Sequence, residues 1–280
     1  MSPGAQEDRM THLDTLLPLL LILMAVGALA GILAGLLGVG GGIVLVPAFY
    51  YLFAGLGYGS DNLMQVCVAT SLATIIVTSI RSVLAHNRRG AVDWTILKQW
   101  APPIAIGAVA GVLVVAQLRT QTLQLIFGVL VFCIACYMAF GKASWRISDH
   151  LPGGIFRAWF GPLMGFASVL LGIGGGSIGT PMLTLHGVPI HRAVATAAGF
   201  GVTIAAPSAV AFLLTKVPDA PPYTIGAINV PAFFVVIAMT MITAPWGAAL
   251  AHRLDPKKLK RVFAGFLMLV ALNMLRKALF

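Results

Sequence analysis

Two glycine-rich runs, each set in an apolar stretch, are the part of this chain best suited to chemistry. Residues 36–47 read LLGVGGGIVLVP and residues 170–181 read LLGIGGGSIGTP, so one motif occurs twice, 134 positions apart. Glycine disfavours a continuous helix and lets another group approach the backbone closely. A helix that starts directly after such a run has unpartnered N–H groups and a positive dipole end there, which together favour an anion.

The candidate anion ligands are therefore the glycines of both runs and the polar side chains nearest to them. The glycines are Gly38, Gly40, Gly41, Gly42, Gly172, Gly174, Gly175 and Gly176. The side chains are Thr70, Ser71, Arg81, Ser177 and Thr196. Three consecutive glycines at matched positions favour a site, whereas isolated ones such as Gly27, Gly31, Gly111 and Gly247 indicate close helix packing.

These side chains have alternative roles that the sequence leaves open. A Ser or Thr in a membrane helix often bonds the carbonyl four residues before it, so Thr70, Ser71 and Thr196 need not face a ligand. Arg81 is the most deeply placed basic residue. It could line an anion pathway, or extend its side chain to the membrane surface.

The composition places the glycine runs inside a membrane. Hydrophobic residues make up 59% of the 280 residues and charged residues only 9%, which excludes an ordinary soluble domain. Ten apolar segments follow one another: 15–37, 42–56, 63–85, 95–117, 122–141, 155–172, 177–189, 191–215, 227–250 and 261–279. The second segment of each half would reach only about 20 Å, less than the ~30 Å hydrocarbon core, so we expect a half-helix, a tilted span or a re-entrant hairpin.

The two halves are internal repeats. Val68-Ala69-Thr70 matches Val194-Ala195-Thr196, and the tetrapeptide GAVD at 90–93 matches GAIN at 226–229. We divide the chain into an N-terminal tail (1–14), a first transmembrane repeat (15–141), a linker (142–154) and a second transmembrane repeat (155–280). The pattern predicts an all-α, polytopic membrane protein whose glycine-broken helices meet near mid-depth.

The basic residues predict that the two repeats are inverted. The loop 86–98 holds three Lys or Arg residues, and its counterpart 216–226 holds one. One loop later the bias reverses, because 118–121 holds one and 252–261 holds five. We assign these segments to the cytoplasm: 86–98, 142–157, 190–192 and 252–261. With Arg81 they contain 13 of the 18 Lys and Arg residues, and both termini then lie outside.

Several classes of function are disfavoured. All eight Asp and Glu residues fall outside the apolar segments, which argues against a carboxylate proton relay, a Na⁺ site or a metal carrier. The apolar segments contain no carboxylate pair, Ser/His/Asp set or metal-ligand cluster, so we expect no enzyme, no catalytic residue and no cofactor. The net charge of +10 lies in short loops, so it favours lipid headgroups as partners and not nucleic acid.

The motif GVGGG-x4-P, followed by VATSLAT at 68–74 and HNRRGAVDW at 86–94, resembles the TauE/SafE family of membrane proteins, the sulfite exporter group. The second GIGGG-x4-P, with AVATA at 193–197, looks like that family's second half. The resemblance extends over about residues 15–279. It implies a multi-pass carrier in a bacterial inner membrane for small anions, mostly sulfur-containing ones such as sulfite, sulfoacetate and thiosulfate.

The resemblance nominates the two glycine runs together with Thr70, Ser71 and Thr196. Ala197 stands where the first half has Ser71, so the halves would contribute unequally. We expect export of sulfite or a related organosulfur anion by alternating access. An anion channel and a carrier of a non-sulfur organic anion are the alternatives, and the anion, the coupling ion and a homo-oligomeric state stay open.

Overall fold

A computed structural model describes residues 20–34, 41–141, 145–251 and 256–279. These ranges contain ten helices: α1 (Leu20–Ala34), α2 (Gly42–Gly55), α3 (Leu63–Asn87), α4 (Trp94–Val115), α5 (Thr120–Phe140), α6 (Gly154–Leu170), α7 (Gly176–Leu185), α8 (Ile190–Leu214), α9 (Val230–Ala251) and α10 (Pro256–Leu279). They correspond one to one to the ten predicted apolar segments. Six of them, α3, α4, α5, α8, α9 and α10, are long and apolar enough to cross a membrane. The predicted all-α, polytopic fold is confirmed.

One short β-hairpin was not predicted. Strands β1 (Thr224–Ile225) and β2 (Ile228–Asn229) pair antiparallel directly before α9. The turn between them contains Gly226 in the left-handed region, with φ +60°. The hairpin therefore occupies the start of the segment predicted as helix from residue 227.

The helix packing has an internal two-fold pattern. In the described ranges α3 packs on α8, α5 on α10, α4 on α6, and α1 on α9. The half-length helices α2 and α7 pack on α3 and α8, respectively. Exchanging each helix of the first half for its repeat counterpart leaves this set of contacts unchanged. The two halves are therefore related by a pseudo-two-fold axis.

Equivalent helices run antiparallel, which fixes the direction of that axis. In the α3–α8 pair, Ser79 lies against Gly201, and His86 at the end of α3 lines the same cavity as His191 at the start of α8. In the α5–α10 pair, Gln121 Nε2 near the start of α5 donates to the Ala278 carbonyl at the end of α10, at 2.8 Å. A two-fold axis reverses a helix direction only when it is perpendicular to the helix. The repeats are therefore inverted about an axis in the membrane plane, as the loop charges predict.

The four segments assigned to the cytoplasm lie at one end of the bundle, which we name the basic end. Helix α3 ends there and α8 begins there. Helix α5 runs parallel to α3, because Thr120 at its start bonds Ser60 and Met64 at the start of α3. Helix α9 starts near the opposite end, where the Asn229 amide donates to Thr70. Helix α9 therefore ends, and α10 begins, at the basic end. The described residues of all four basic segments thus share one face of the membrane.

The isolated glycines serve helix packing, as predicted. Gly27, Gly31 and Gly247 lie where α1 crosses α9, and Gly111 lies where α4 crosses α6. A Cβ atom at any of these positions would overlap an atom of the facing helix. These glycines allow the close helix approach that is common inside membranes.

Candidate functional site

Both glycine breaks lie at mid-depth of the bundle. Helices α3 and α8 each have 25 residues and are about 37 Å long, more than the ~30 Å hydrocarbon core. Gly42 and Gly174 both lie against Ile75, the central residue of α3. Gly175 lies against Gly201, one residue from the centre of α8. The breaks are therefore far from either membrane surface.

Each break is followed by a half-helix that begins at an equivalent glycine. Helix α2 begins at Gly42 and has 14 residues, and α7 begins at Gly176 and has 10. Gly41 precedes α2 with φ +72°, a left-handed conformation that glycine adopts without strain. Val46 of α2 and Val68 of α3 both contact Gly172, so α2 runs from mid-depth back toward the start of α3. Phe156 in the first turn of α6 lies against His186, directly after α7, with ring centroids 5.9 Å apart. Helix α7 is therefore a half-helix that forms a re-entrant hairpin with α6, so two of the three predicted alternatives describe it together.

The two breaks touch one another. A Cβ atom added to Gly42 would lie 2.5 Å from the Gly172 carbonyl oxygen and 3.0 Å from Ile173 Cα. The same carbonyl accepts a hydrogen bond from Ser71 Oγ at 2.8 Å. The start of α2 therefore packs directly on the second break, and Ser71 holds that break against α3. Ala197, the counterpart of Ser71, has no hydroxyl and cannot form the matching bond.

The second break has hydrogen-bond donors that lack a partner among the described residues. The first intrahelical bond of α7 runs from the Gly179 amide to the Gly175 carbonyl at 2.7 Å. The amides of Gly176, Ser177 and Ile178 donate to no described residue. Ser177 Oγ is also buried without a described partner, and the residue is only 8% exposed. Since an unpartnered buried hydroxyl costs about 1–3 kcal/mol, these groups form a polar cluster that suits a bound acceptor.

Thr70 and Thr196 have symmetric structural roles. Thr70 Oγ1 accepts from the Asn229 amide at 2.9 Å, and Thr196 Oγ1 accepts from the Asp93 amide at 3.0 Å. Each bond joins one repeat to the other, because Thr70 and Asp93 belong to the first half. Both threonine side chains are completely buried. In this conformation they position the starts of α9 and α4 and are not free ligands at the breaks.

The repeated tetrapeptides 90–93 and 226–229 form these two contacts between the repeats, which we name the junctions. Asp93 Oδ1 caps α4 by accepting from the Thr95 and Ile96 amides, each at 3.1 Å. Asn229 Oδ1 accepts from the Ala232 amide at 3.1 Å at the start of α9. Asp93 Oδ2 also pairs with Arg192 at 2.9 Å. The counterpart of Arg192 in the first half is Val66, so this ion pair exists at one junction only.

Arg81 is not brought to the breaks. It lies on the exposed side of α3, six residues or about 9 Å beyond Ile75 toward the basic end. This position fits the alternative role of reaching the membrane surface. Gly38 and Gly40 lie outside the described residues.

Two buried serines near the breaks were not predicted. Ser79 lies between Gly201 and Gly174, and Ser168 Oγ is completely buried without a described partner. Their repeat counterparts are alanines, so hydroxyls at matched positions of the two repeats do not include either serine. Helical spacing does carry a signal for Ser79, because it follows Ser71 by eight residues and so lies on the same face of α3.

The family comparisons agree with this architecture. The model of the family described as "Sulfite exporter TauE/SafE" matches residues 23–274. A "Probable membrane transporter protein" of Haemophilus influenzae is 33% identical over 260 residues, covering 92% of this chain and 98% of the relative. One of Methanocaldococcus jannaschii is 29% identical over 267 residues, covering 93% and 96%. No solved structure matches the chain significantly. The relatives are named as transporters and not as enzymes, and the chain belongs to the TauE/SafE family of multi-pass membrane transporters.

Proposed function

We propose that this protein exports a small sulfur oxyanion, with sulfite as the first candidate, across a bacterial inner membrane by alternating access. The observation that carries the proposal is the donor cluster at the second break. It comprises the amides of Gly176, Ser177 and Ile178 and the Ser177 hydroxyl, all without a described acceptor at mid-depth. A sulfite ion offers three oxygen acceptors, which such a cluster can bind together.

The electrostatics of the breaks favour an anion. The start of α2 packs on Gly172 and Ile173, three residues before α7 begins, and each helix start carries a partial positive charge of about half a unit. The described Asp and Glu residues all lie outside the ten helices. The described part of the chain contains no group of His, Cys, Asp or Glu side chains suited to a metal ion. The positive potential at mid-depth thus comes from dipoles without a fixed cation. Such a site can bind an anion and still release it.

Alternating access requires movement between the halves. The described break residues, from Gly41 to Gly42 and from Gly172 to Gly176, are buried, so the conformation is closed around the breaks. The bonds Thr70–Asn229 and Thr196–Asp93 cross between the halves at about 8–9 Å from the centres of α3 and α8. Because α3 and α8 are antiparallel, these junctions lie on opposite sides of the breaks. A rocking motion would open one junction while the other stays closed.

Counterflow of labelled sulfite tests the proposal. The purified protein in phosphatidylcholine vesicles should show saturable ³⁵S-sulfite flux that unlabelled sulfite on the opposite side accelerates. Ser177→Ala should weaken apparent sulfite affinity about tenfold, as expected for the loss of one charge-assisted hydrogen bond. Ser208→Ala is the matched control, because Ser208 is also buried but donates to the Ile204 carbonyl of its own helix at 2.7 Å.

Three results would count against the proposal. Absence of flux for sulfite, thiosulfate and sulfoacetate, with the protein folded, would remove the substrate assignment. Single-channel currents without counterflow would indicate a channel. Equal affinities for Ser177→Ala and Ser208→Ala would place the anion elsewhere.

A further inference from the structure

A cavity lined by basic side chains lies at the basic end of the bundle, away from the glycine breaks. It has a volume of about 310 Å³ and is lined by His86, Arg89, Ala91, His191 and Val194. His86 is eleven residues beyond Ile75 on α3, or about 16 Å along the helix. The cavity therefore lies near the membrane surface, where α3 ends and α8 begins.

The charges around this cavity are positive. Arg89 and His191 both interact electrostatically with His86. Asp93, the acidic residue closest to Arg89 in the sequence, is already paired with Arg192 at 2.9 Å. Within the described ranges Arg89 has no carboxylate partner. His191 also lies in the first turn of α8, so the positive dipole end of that helix adds to the potential.

The cavity lies next to the junction that closes the breaks on this side. Val194 lines the cavity, and Thr196, two residues further along α8, accepts the Asp93 amide. An anion bound in the cavity would thus lie just outside this junction. Opening the Thr196–Asp93 bond would connect the cavity with mid-depth.

We propose that the cavity formed by His86, Arg89 and His191 is an oxyanion-binding site at the cytoplasmic entrance. A guanidinium and two imidazoles can together donate several hydrogen bonds to one oxyanion. The same chemistry suits free sulfite and the phosphate of a lipid headgroup. Its role in loading the transported anion rests on the proposed function, whereas binding itself does not.

Anion binding is measured first, without transport. The full-length protein in lipid-free detergent is titrated with sodium sulfite at fixed pH and constant ionic strength, and thermal unfolding reports binding. A Ser177→Ala background weakens the mid-depth site, so the remaining stabilisation reports the cavity. In that background Arg89→Gln and His191→Gln should each raise the sulfite dissociation constant about threefold to tenfold. Arg88→Gln removes an adjacent charge outside the cavity and should change it less than twofold.

A second titration uses phosphatidylglycerol to distinguish the two sources of the oxyanion. Competition between this lipid and sulfite, lost in Arg89→Gln, would support the site and assign it to a headgroup. Sulfite binding that the lipid leaves unchanged would support the site and assign it to the free anion. The proposal would be overturned if Arg89→Gln and His191→Gln bound both sulfite and phosphatidylglycerol with the wild-type dissociation constants.

Transport then tests the loading role separately. In vesicles, Arg89→Gln should raise the internal sulfite concentration for half-maximal efflux by the same factor, with the maximal rate within twofold. If the wild type binds sulfite at Arg89 but moves none, the transport proposal fails and the site stands. If sulfite is transported normally by Arg89→Gln and His191→Gln and their binding is unchanged, the site fails and the transport proposal stands.

Discussion

Gly42→Ala should separate the two glycine breaks. The new Cβ atom would lie 2.5 Å from the Gly172 carbonyl oxygen, 3.0 Å from Ile173 Cα and 2.8 Å from Ile75 Cδ1. The Ile75 side chain can rotate away, but both other atoms belong to the backbone of the second break. The start of α2 must therefore move away from that break.

The size of the effect follows from two opposing contributions. Overpacking of a close-packed interior costs about 1–3 kcal/mol, and replacing a helical glycine by alanine returns about 0.5–1 kcal/mol. Gly42→Ala should therefore lower stability by up to about 2.5 kcal/mol. At about 2–4 °C per kcal/mol for a chain of this size, the melting temperature should fall by up to about 10 °C.

Gly55→Ala is the matched control, since Gly55 ends the same helix and a Cβ there meets nothing within 4 Å. It should raise the melting temperature by about 1–4 °C, because only the helix-propensity gain remains. Thermal unfolding of both variants in one detergent gives the comparison, and sulfite counterflow should be impaired in Gly42→Ala alone. A Gly42→Ala protein that melts no lower than Gly55→Ala and transports at the wild-type rate would refute the contact between the breaks.

Three further predictions concern the junctions and the topology. Thr196→Val leaves the Asp93 amide unpartnered, so it should cost about 1–3 kcal/mol and increase labelling of a Ser177→Cys thiol from the cytoplasm; unchanged labelling would exclude a gating role. Arg192→Gln removes a half-exposed ion pair worth about 0.2–1 kcal/mol and should lower the melting temperature by less than about 4 °C, whereas a larger drop would indicate a buried network. In a cysteine-free background, Arg88→Cys and His150→Cys should react from the cytoplasm and Tyr223→Cys from outside; opposite labelling of the first two would contradict the inverted topology.

The architecture could be predicted because its signals are local. Each apolar segment is continuous in the sequence, and a glycine run disfavours a continuous helix whatever tertiary contacts that helix makes. The order of the basic loops was enough to predict inversion, which the antiparallel α3–α8 and α5–α10 pairs confirm. The β-hairpin before α9 was not predicted because its strands have only two residues each.

The roles of the hydroxyls could not be predicted, because their partners come from the other repeat. Thr196 bonds the amide of a residue 103 positions away, and Thr70 one 159 positions away. Ser71 bonds the carbonyl of Gly172, 101 positions away. Nothing in the local sequence distinguishes such a hydroxyl from one that faces a ligand or its own helix.

Packing and anion binding are not exclusive explanations of the glycine runs. A Cβ at Gly175 would overlap Phe200 Cβ and approach the Ala197 carbonyl, so the absence of a side chain is needed for the fold itself. Replacing these glycines by leucine would thus impair folding whether or not an anion binds. Ser177 is a cleaner probe of binding, because its hydroxyl has no described partner to lose.

The location of a bound oxyanion is the most direct test of the account. Selenite has the shape and charge of sulfite, and its selenium atom can be located by anomalous X-ray scattering. In a crystal grown with selenite, we predict a selenium site within about 4 Å of Ser177 Oγ, at the start of α7. Selenium found only near the ends of the helices, with the start of α7 empty at saturating selenite, would contradict the central claim.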